Sequence, residues 1–332
     1  MIVSMTPFRI SFFGGGTDYP TWYKLNGGSV ISTTINKYCY ITCRYLPPFF
    51  NHRHRVVYSR IENVMDASEI QHPSVRAVMK WLNWQKGIEI HHDGDLPARS
   101  GLGSSSSFTV GLFNALSALE GRLISNRELA AQAIHIEQEV IRENVGSQDQ
   151  IAAAFGGFNK IDFKRDGSFD VTPIILPQDK KVALENNLML FFTGLSRNAS
   201  DIAKSKIANM ENRFEELDRI RRMVDQAADI LQNSSDMATD FGRLLDEGWQ
   251  YKKQLSDQVS TPEIDEIYEA AKSAGAVGGK LMGAGGGGFM VFVVKPEFQE
   301  RVRERLKHLI YVPFQFESSG SKIVLYQPNG LG

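Results

Sequence analysis

The stretch PARSGLGSSSSF, residues 97–108, constrains this chain more than any other. Two glycines and four consecutive serines have the composition of a flexible linker. Yet Phe108, Leu112, Phe113, Leu116 and Leu119 follow at helical spacing, which predicts a buried-faced helix from about Ser104 to Glu120. A solvated run opening directly into a buried helix needs a physical reason. Glycine tolerates positive φ and lets another backbone come close. Serine at a helix start caps orphan N–H groups. Those same N–H groups, with the positive end of the helix dipole, attract anions. Gly101, Leu102, Gly103, Ser104, Ser105 and Ser106 are therefore candidates for a nucleotide phosphate loop, the hydroxyls adding phosphate contacts or a magnesium ligand. Taken alone, the stretch serves equally as a well-capped helix start.

Composition narrows the classes. The 332 residues are 42% hydrophobic and 23% charged, ordinary for a globular chain of one large or two medium domains. A net charge of -1 gives no field for nucleic acid or anionic membrane, so neither is expected as a partner. No apolar run approaches the roughly 20 residues that span a bilayer. The first residues, MIVSMTPFRISFFGGG, lack the basic start, apolar core and small-residue cleavage site of a secretory signal. A soluble cytoplasmic protein is expected. Cys39 and Cys43 fall on one face of a strand, about 13 Å apart at roughly 3.3 Å per residue. A disulfide needs Cα atoms within about 7 Å. Both are expected to be free core thiols, which suits a reducing compartment.

Along the chain, FRISFF, GGSVISTTI, KYCYITCRYL and IEIHH alternate as strands, punctuated by glycine and proline. Asn126 is placed to cap a second helix whose apolar stripe runs through Leu129, Ala133, Ile136, Val140 and Ile141. Strand-like segments follow near FNKIDF, FDVTPIIL and NLMLFFTG. Residues 198–275 read as mostly helical. Then come a buried strand GFMVFVV, a helix PEFQERVRERLKHLI and a last strand SKIVLYQ. The class is α+β, with a boundary expected at residue 180/181: one domain over 1–180 with the phosphate loop, a second over 181–332.

Two more stretches carry chemistry. PFRISFFGGGTDYP, residues 7–20, is a strand entering a triple-glycine turn. Arg9 offers a fixed positive charge and Asp18 a pair of acceptors suited to sugar hydroxyls; the same letters also make a plain turn. In IEQEVIRENVGSQDQ, residues 136–150, Glu137 sits on the apolar stripe beside Ile136 and Val140. A carboxylate facing inward is unusual unless paired or bound to metal. Asp149, after the loop NVGSQ, is placed to orient or deprotonate a hydroxyl. A solvated edge and a helix cap are the plainer alternatives. The nearest approach to a Walker A loop, GAVGGKL, is one residue short and lacks the final Ser or Thr. GAGGGG from Gly283 has the letters of a dinucleotide fingerprint but precedes a strand instead of following one.

Together and in this order, these stretches resemble the GHMP sugar and mevalonate kinase superfamily. GGGTDY is similar to its N-terminal substrate motif, PARSGLGSS to its phosphate loop, and GGKLMGAGGGGF to its C-terminal glycine motif. Glu137 and Asp149 stand twelve residues apart, as the magnesium glutamate and catalytic aspartate do in galactokinases. The resemblance runs from residue 7 to about 294. Gly15 and Gly16 stand where galactokinases carry Glu and His, which argues against galactose. PFRISFFGGGTDYP, INKY, GSQDQIAAAFGGFNKI and GGKLMGAGGGGF look most like the heptose 7-phosphate kinases, with a related subgroup in the kinase part of fucokinases.

The resemblance implies a two-domain fold, an N-terminal ribosomal protein S5 domain 2-like unit and a C-terminal ferredoxin-like α/β sandwich. It implies ATP and Mg2+ as cofactors and phosphorylation of the anomeric hydroxyl of D-glycero-D-manno-heptose 7-phosphate, for nucleotide-heptose and surface polysaccharide synthesis. Asp149 and Arg9 would be catalytic. Residues 101–106 would hold ATP, and Ser105, the second serine, would hold magnesium with Glu137. Thr17, Asp18, Gly283, Ala284, Gly285 and Gly286 would meet the sugar, with Arg197 or Arg44 as cation for its phosphate. His52 and His54 read as a solvated basic loop, His135 as a packing or surface residue, and His91 and His92 as uninformative. A free-sugar kinase, for fucose for instance, and a non-catalytic regulator on the same fold are the alternatives. A homodimer is left open.

Overall fold

The computed structural model describes residues 1–98, 100–195 and 199–328. The first part of the chain runs β1 (Ile2–Phe13), α1 (Pro20–Asn26), β2 (Gly28–Tyr45), β3 (His54–Val57), β4 (Ile61–Val64), α2 (Pro73–Trp81), β5 (Ile88–Gly94) and α3 (Ser104–Leu119). Next come α4 (Asn126–His135) with a π-helical turn at Ile136–Ile141, α5 (Gln148–Phe155), β6 (Phe158–Phe163), β7 (Phe169–Pro173) and α6 (Gln178–Asn186). The remainder is β8 (Leu188–Phe192), α7 (Ala199–Asn209), α8 (Phe214–Asn233), α9 (Met237–Gln254), α10 (Pro262–Ser273), β9 (Ala276–Leu281), β10 (Phe289–Val294) and α11 (Pro296–Arg305). It closes with β11 (Ile310–Tyr311), β12 (Phe316–Glu317) and β13 (Lys322–Tyr326).

Two sheets result, as the α+β reading expects. The larger has β13, β1, β2, β5, β3 and β4 in order, with β6, β7 and β12 attached through β2. The smaller is β11-β8-β10-β9, all antiparallel. Strand β1 shows why the site forms where it does. Its burial alternates over Ile2–Met5, as in a half-covered strand. From Thr6 to Phe13 every residue is buried, because α3 and α5 cover one side and α8 and α9 the other. Arg9 is carried into that covered stretch.

The two strands read from GGSVISTTI and KYCYITCRYL are one 18-residue strand, β2. Its pairing with β1 slips between Pro7 and Phe8, from Tyr38 to Ile35. Pro7 has no N–H to offer the ladder, and the slip absorbs the missing bond. Cys39 and Cys43 lie on β2, buried and free as expected. The expected boundary at residue 180/181 falls inside the helix α6. The last two strands return to the first sheet, β12 on β2 and β13 on β1. That sheet therefore holds strands from both sides of residue 180/181.

Candidate active site

The two glycine runs meet. Gly101 has φ +86° and Gly103 φ +77°, the latter at the N-cap of α3. A Cβ on Gly283 would lie 2.6 Å from the Gly101 Cα, so only two glycines permit this crossing. Phe289 N donates to Ser100 O at 3.1 Å and ties the second run to the first. The loop then turns into α3, whose 16 residues are buried along most of their length, with Leu102 anchored in the core. The serine run is thus the mouth of a buried helix. Ser107 Oγ donates to Pro7 O at 2.9 Å.

Arg9 and Asp149 come together across 140 residues of chain. The guanidinium donates Nε to Oδ1 and Nη2 to Oδ2, both at 2.8 Å, a bidentate pair of the strong charge-assisted kind. Arg9 Nη1 also donates to Gly101 O at 2.6 Å, so the pair is fastened to the loop. Arg9 is 4% exposed, while the Asp149 side chain keeps 26% of its surface open. Asp149 lies in the first turn of α5 behind an N-cap at Ser147, so it is not the helix cap that the plainer reading allowed.

Glu137 is fully buried, as the stripe suggested. The α-helix α4 passes into a π-helical turn at Ile136, and the extra residue per turn swings the following side chains. Val140, expected on the buried stripe, is 36% exposed for that reason. The N-cap of α4 is Ser125, accepting from Glu128 N, and not Asn126. Glu137 Oε2 accepts from Ser106 Oγ at 2.9 Å and from Gln150 Nε2. The Thr109 hydroxyl stands beside the carboxylate, but its hydrogen goes to Ser105 O. Oε1 has no donor. Burial pushes this carboxyl up to about 7, against the lowering effect of its neutral neighbours. Ser105, expected to share a metal with Glu137, is exposed; Ser106, one residue later and turned inward, makes the contact.

The Gly14–Tyr19 turn sits beside this pair. Asp18 is 2% exposed, and its Oδ1 accepts from Gly16 N at 2.9 Å. Gly146 presses on the other oxygen so closely that a Cβ there would be 1.9 Å from Oδ2. Burial raises the Asp18 pKa, helped by the nearby Asp149 charge. Thr17, expected at the sugar, is buried with its hydroxyl committed to the turn: it donates to Gly14 O and Ser29 O and accepts from Ser29 N. Its geometry makes it a holder of the turn. In the second run, Gly283 and Gly285 press on Gly101 and Val259, Gly286 N donates to Val259 O, and Ala284 packs against the cluster around Tyr19.

Three lysines complete the surroundings, and none was singled out in the sequence. Lys206 of α7, Lys252 of α9 and Lys280 of β9 are 4%, 6% and 7% exposed. Lys252 Nζ donates to Leu281 O and Gly283 O; Lys280 Nζ donates to Phe12 O. Burial, with the other cations around it, pushes Lys280 down to about 7 and Lys252 well below its usual range. A sign was present: Lys252 continues the buried row Leu245, Trp249, and Lys206 lies between buried Ala203 and Met210. The inward-charge argument that found Glu137 applies equally to them.

Other candidates lie elsewhere. Arg44 is half exposed and paired with Glu89 through Nη2 at 2.6 Å, on the portion of β2 that faces β5. Arg197 falls outside the described residues. His54 is buried in β3 and not part of a solvated loop, because β5 and β4 flank that strand. His135 packs on Trp81, ring centroids 4.6 Å apart. His91 bonds Glu89, and His92 packs edge-on against Phe108. Among the described residues no helix is long and apolar enough to cross a membrane.

Comparison with known proteins gives this geometry its family. The model of the GHMP kinases N terminal domain matches residues 70–157, and that of the GHMP kinases C terminal domain matches residues 235–311. A D-glycero-alpha-D-manno-heptose 7-phosphate kinase of Campylobacter jejuni is 30% identical over 97% of this chain and 98% of its own length. A mevalonate kinase of Thermococcus sibiricus is 29% identical over 70% of this chain and 68% of its own. Among solved structures, a D-glycero-D-manno-heptose 1-phosphate kinase from Bacteriodes thetaiotaomicron superposes with TM-score 0.78 at 25% identity, covering 97% of this chain and 98% of that one. The chain belongs to the GHMP kinases, has their two-domain fold, and is an ATP-dependent sugar kinase.

Proposed function

We propose that this kinase phosphorylates the anomeric hydroxyl of D-glycero-D-manno-heptose 7-phosphate. The observation that carries the chemistry is the Arg9–Asp149 pair fastened to Gly101. Phosphoryl transfer needs positioning and charge neutralisation more than covalent help. The N–H groups of residues 101–106 face the ATP phosphates at the start of α3. Asp149 accepts or orients the hydroxyl proton, and Arg9 holds it in one orientation. An anomeric hydroxyl is more acidic than an ordinary alcohol, so a partly exposed carboxylate held by Arg9 suffices. Asp18 binds sugar hydroxyls, and Gly283, Gly285 and Gly286 let the second domain approach without side chains. Support for the heptose comes from the relative matched along nearly its whole length.

The residues fit Mg2+. Glu137 keeps one buried oxygen without a donor, and the hydroxyls of Ser106 and Ser105 stand at the same helix start. A bound magnesium ion would neutralise the phosphate charge there. Glu137 would hold it as a carboxylate, and Ser106 would have to turn its hydrogen away.

Turnover of ATP against free and 7-phosphorylated heptoses, hexoses and mevalonate tests the reading. The expected result is strong preference for the heptose 7-phosphate. Activity confined to mevalonate or to free sugars such as fucose refutes it, and ADP release independent of any sugar points to a regulator. Asp149→Asn is expected to lower turnover at least about a hundredfold, the usual scale of acid–base contributions. Near-normal turnover in that variant removes Asp149 from the role.

A further inference from the structure

The lysines leave an imbalance of charge beside the acceptor turn. Arg9 is neutralised by Asp149 in a bidentate pair. Lys252 and Lys280 donate only to backbone carbonyls, which carry no net charge. Lys206 is 4% exposed, and among the described residues its ammonium has no hydrogen-bond partner. What it faces is the Tyr19 ring, 5.8 Å from Nζ, and the field of Asp18, which makes no ion pair with it within 4.0 Å. Of the three buried lysines, Lys206 and Lys280 lie in the field of one carboxylate, Asp18, and Lys252 in that of the other cations. Leaving charge buried and uncompensated is costly unless a ligand completes the site.

The partner that would hold these amines charged is an anion, and a phosphate monoester carries about two charges near neutral pH. The donor nucleotide has its own place, at the Gly101–Ser106 loop and the N-terminus of α3. Lys206 instead stands on α7 over Tyr19 and Asp18, and Lys280 is bonded to Phe12, the residue two before the glycine turn. All three contacts belong to the acceptor side. We propose that the Lys206 ammonium, with Lys252 and Lys280 behind it, receives the phosphate monoester that the acceptor already carries. The inference rests on the sugar-phosphate reading above and replaces Arg44, which is paired on another part of the sheet, as the cation for that phosphate.

The test is calorimetric titration of inorganic phosphate into the whole protein, alone and saturated with magnesium and a non-hydrolysable ATP analogue. Wild type should bind phosphate in both states. Lys206→Met should weaken that binding at least about tenfold, the scale of a hydrogen bond to a charged group. Lys206→Arg should restore most of it, which separates lost charge from lost packing. In turnover with the phosphorylated acceptor, Lys206→Met should raise its KM about tenfold or more and leave the KM for ATP within about twofold. Phosphate binding that is unchanged in Lys206→Met overturns the proposal. So does phosphate binding that disappears once the ATP analogue is present, since the site would then belong to the donor. Phosphate titration needs no turnover, so failure of the heptose reading shows separately, in the acceptor panel.

Discussion

Glu137 and Glu89 are both buried glutamates, 0% and 5% exposed, yet the chain treats them oppositely. Glu89 on β5 is surrounded by basic partners: Arg44 through Nε at 2.7 Å, Arg55 Nη1 at 3.4 Å and His91 Nε2 at 3.0 Å. Burial alone would raise its pKa, but the bonds from His91 and Arg44 and the Arg44 charge carry it below the ordinary value. Glu137 has only a hydroxyl and an amide for donors, one oxygen with none, and a pKa pushed up to about 7. Glu89 is complete as it stands. Glu137 keeps one oxygen without a donor among the described residues. Burial by itself therefore does not mark a functional carboxylate; the charge balance of its neighbours does.

Paired substitutions break or sharpen this contrast. The largest difference should be in turnover: Glu137→Gln loses at least about a hundredfold, comparable to removing an acid–base group, while Glu89→Gln stays within about twofold. Equal losses in the two variants would erase the distinction. Stability should move the other way. Glu89→Ala leaves Arg44 and Arg55 without their carboxylate and should cost about 1–3 kcal/mol in denaturant unfolding. A third expectation concerns pH. The Glu137 carboxyl has a folded pKa of about 7 against 4.5, so its neutral form favours the folded state. That contribution is full below about 4.5 and lost as pH rises through about 7. In magnesium-free buffer, the melting temperature of wild type should fall relative to Glu137→Gln between pH 5 and pH 8, and magnesium should narrow the gap. A difference flat across pH would contradict the buried-carboxyl account. The smallest effect separates two adjacent serines: Ser106→Ala should cost about 0.5–1.5 kcal/mol, and exposed Ser105→Ala within about 0.5.

Much of this was legible in the letters because the site is built from local motifs. The loop before α3, the Thr-Asp-Tyr turn and the run from Gly283 each announce a backbone conformation that few residues permit. Glu137 was legible as a charge on an apolar row. Which serine faces it was not, since the π-helical turn and the docking of α3 decide that and neither leaves a period in the sequence. The lysines left no sign beyond their place on buried rows: the acceptors of Lys252 and Lys280, Leu281, Gly283 and Phe12, are backbone carbonyls, and a backbone partner has no letter. Thr17 was misread for a related reason: its partners are the carbonyls of its own turn. The continuity of β2 was hidden by a slip that Pro7 imposes from the facing strand.

Strands β12 and β13 have a consequence for synthesis. The sheet that carries Arg9 is completed by strands made long after it: β13 covers the edge of β1 from Ile2 to Met5, and β12 lies on β2 at Thr34 and Ile35. A nascent chain that has already produced the phosphate loop, Glu137 and Asp149 still exposes an unpaired edge on its first strand. That sheet must wait, open to wrong pairing, until residues 316–326 leave the ribosome and close it.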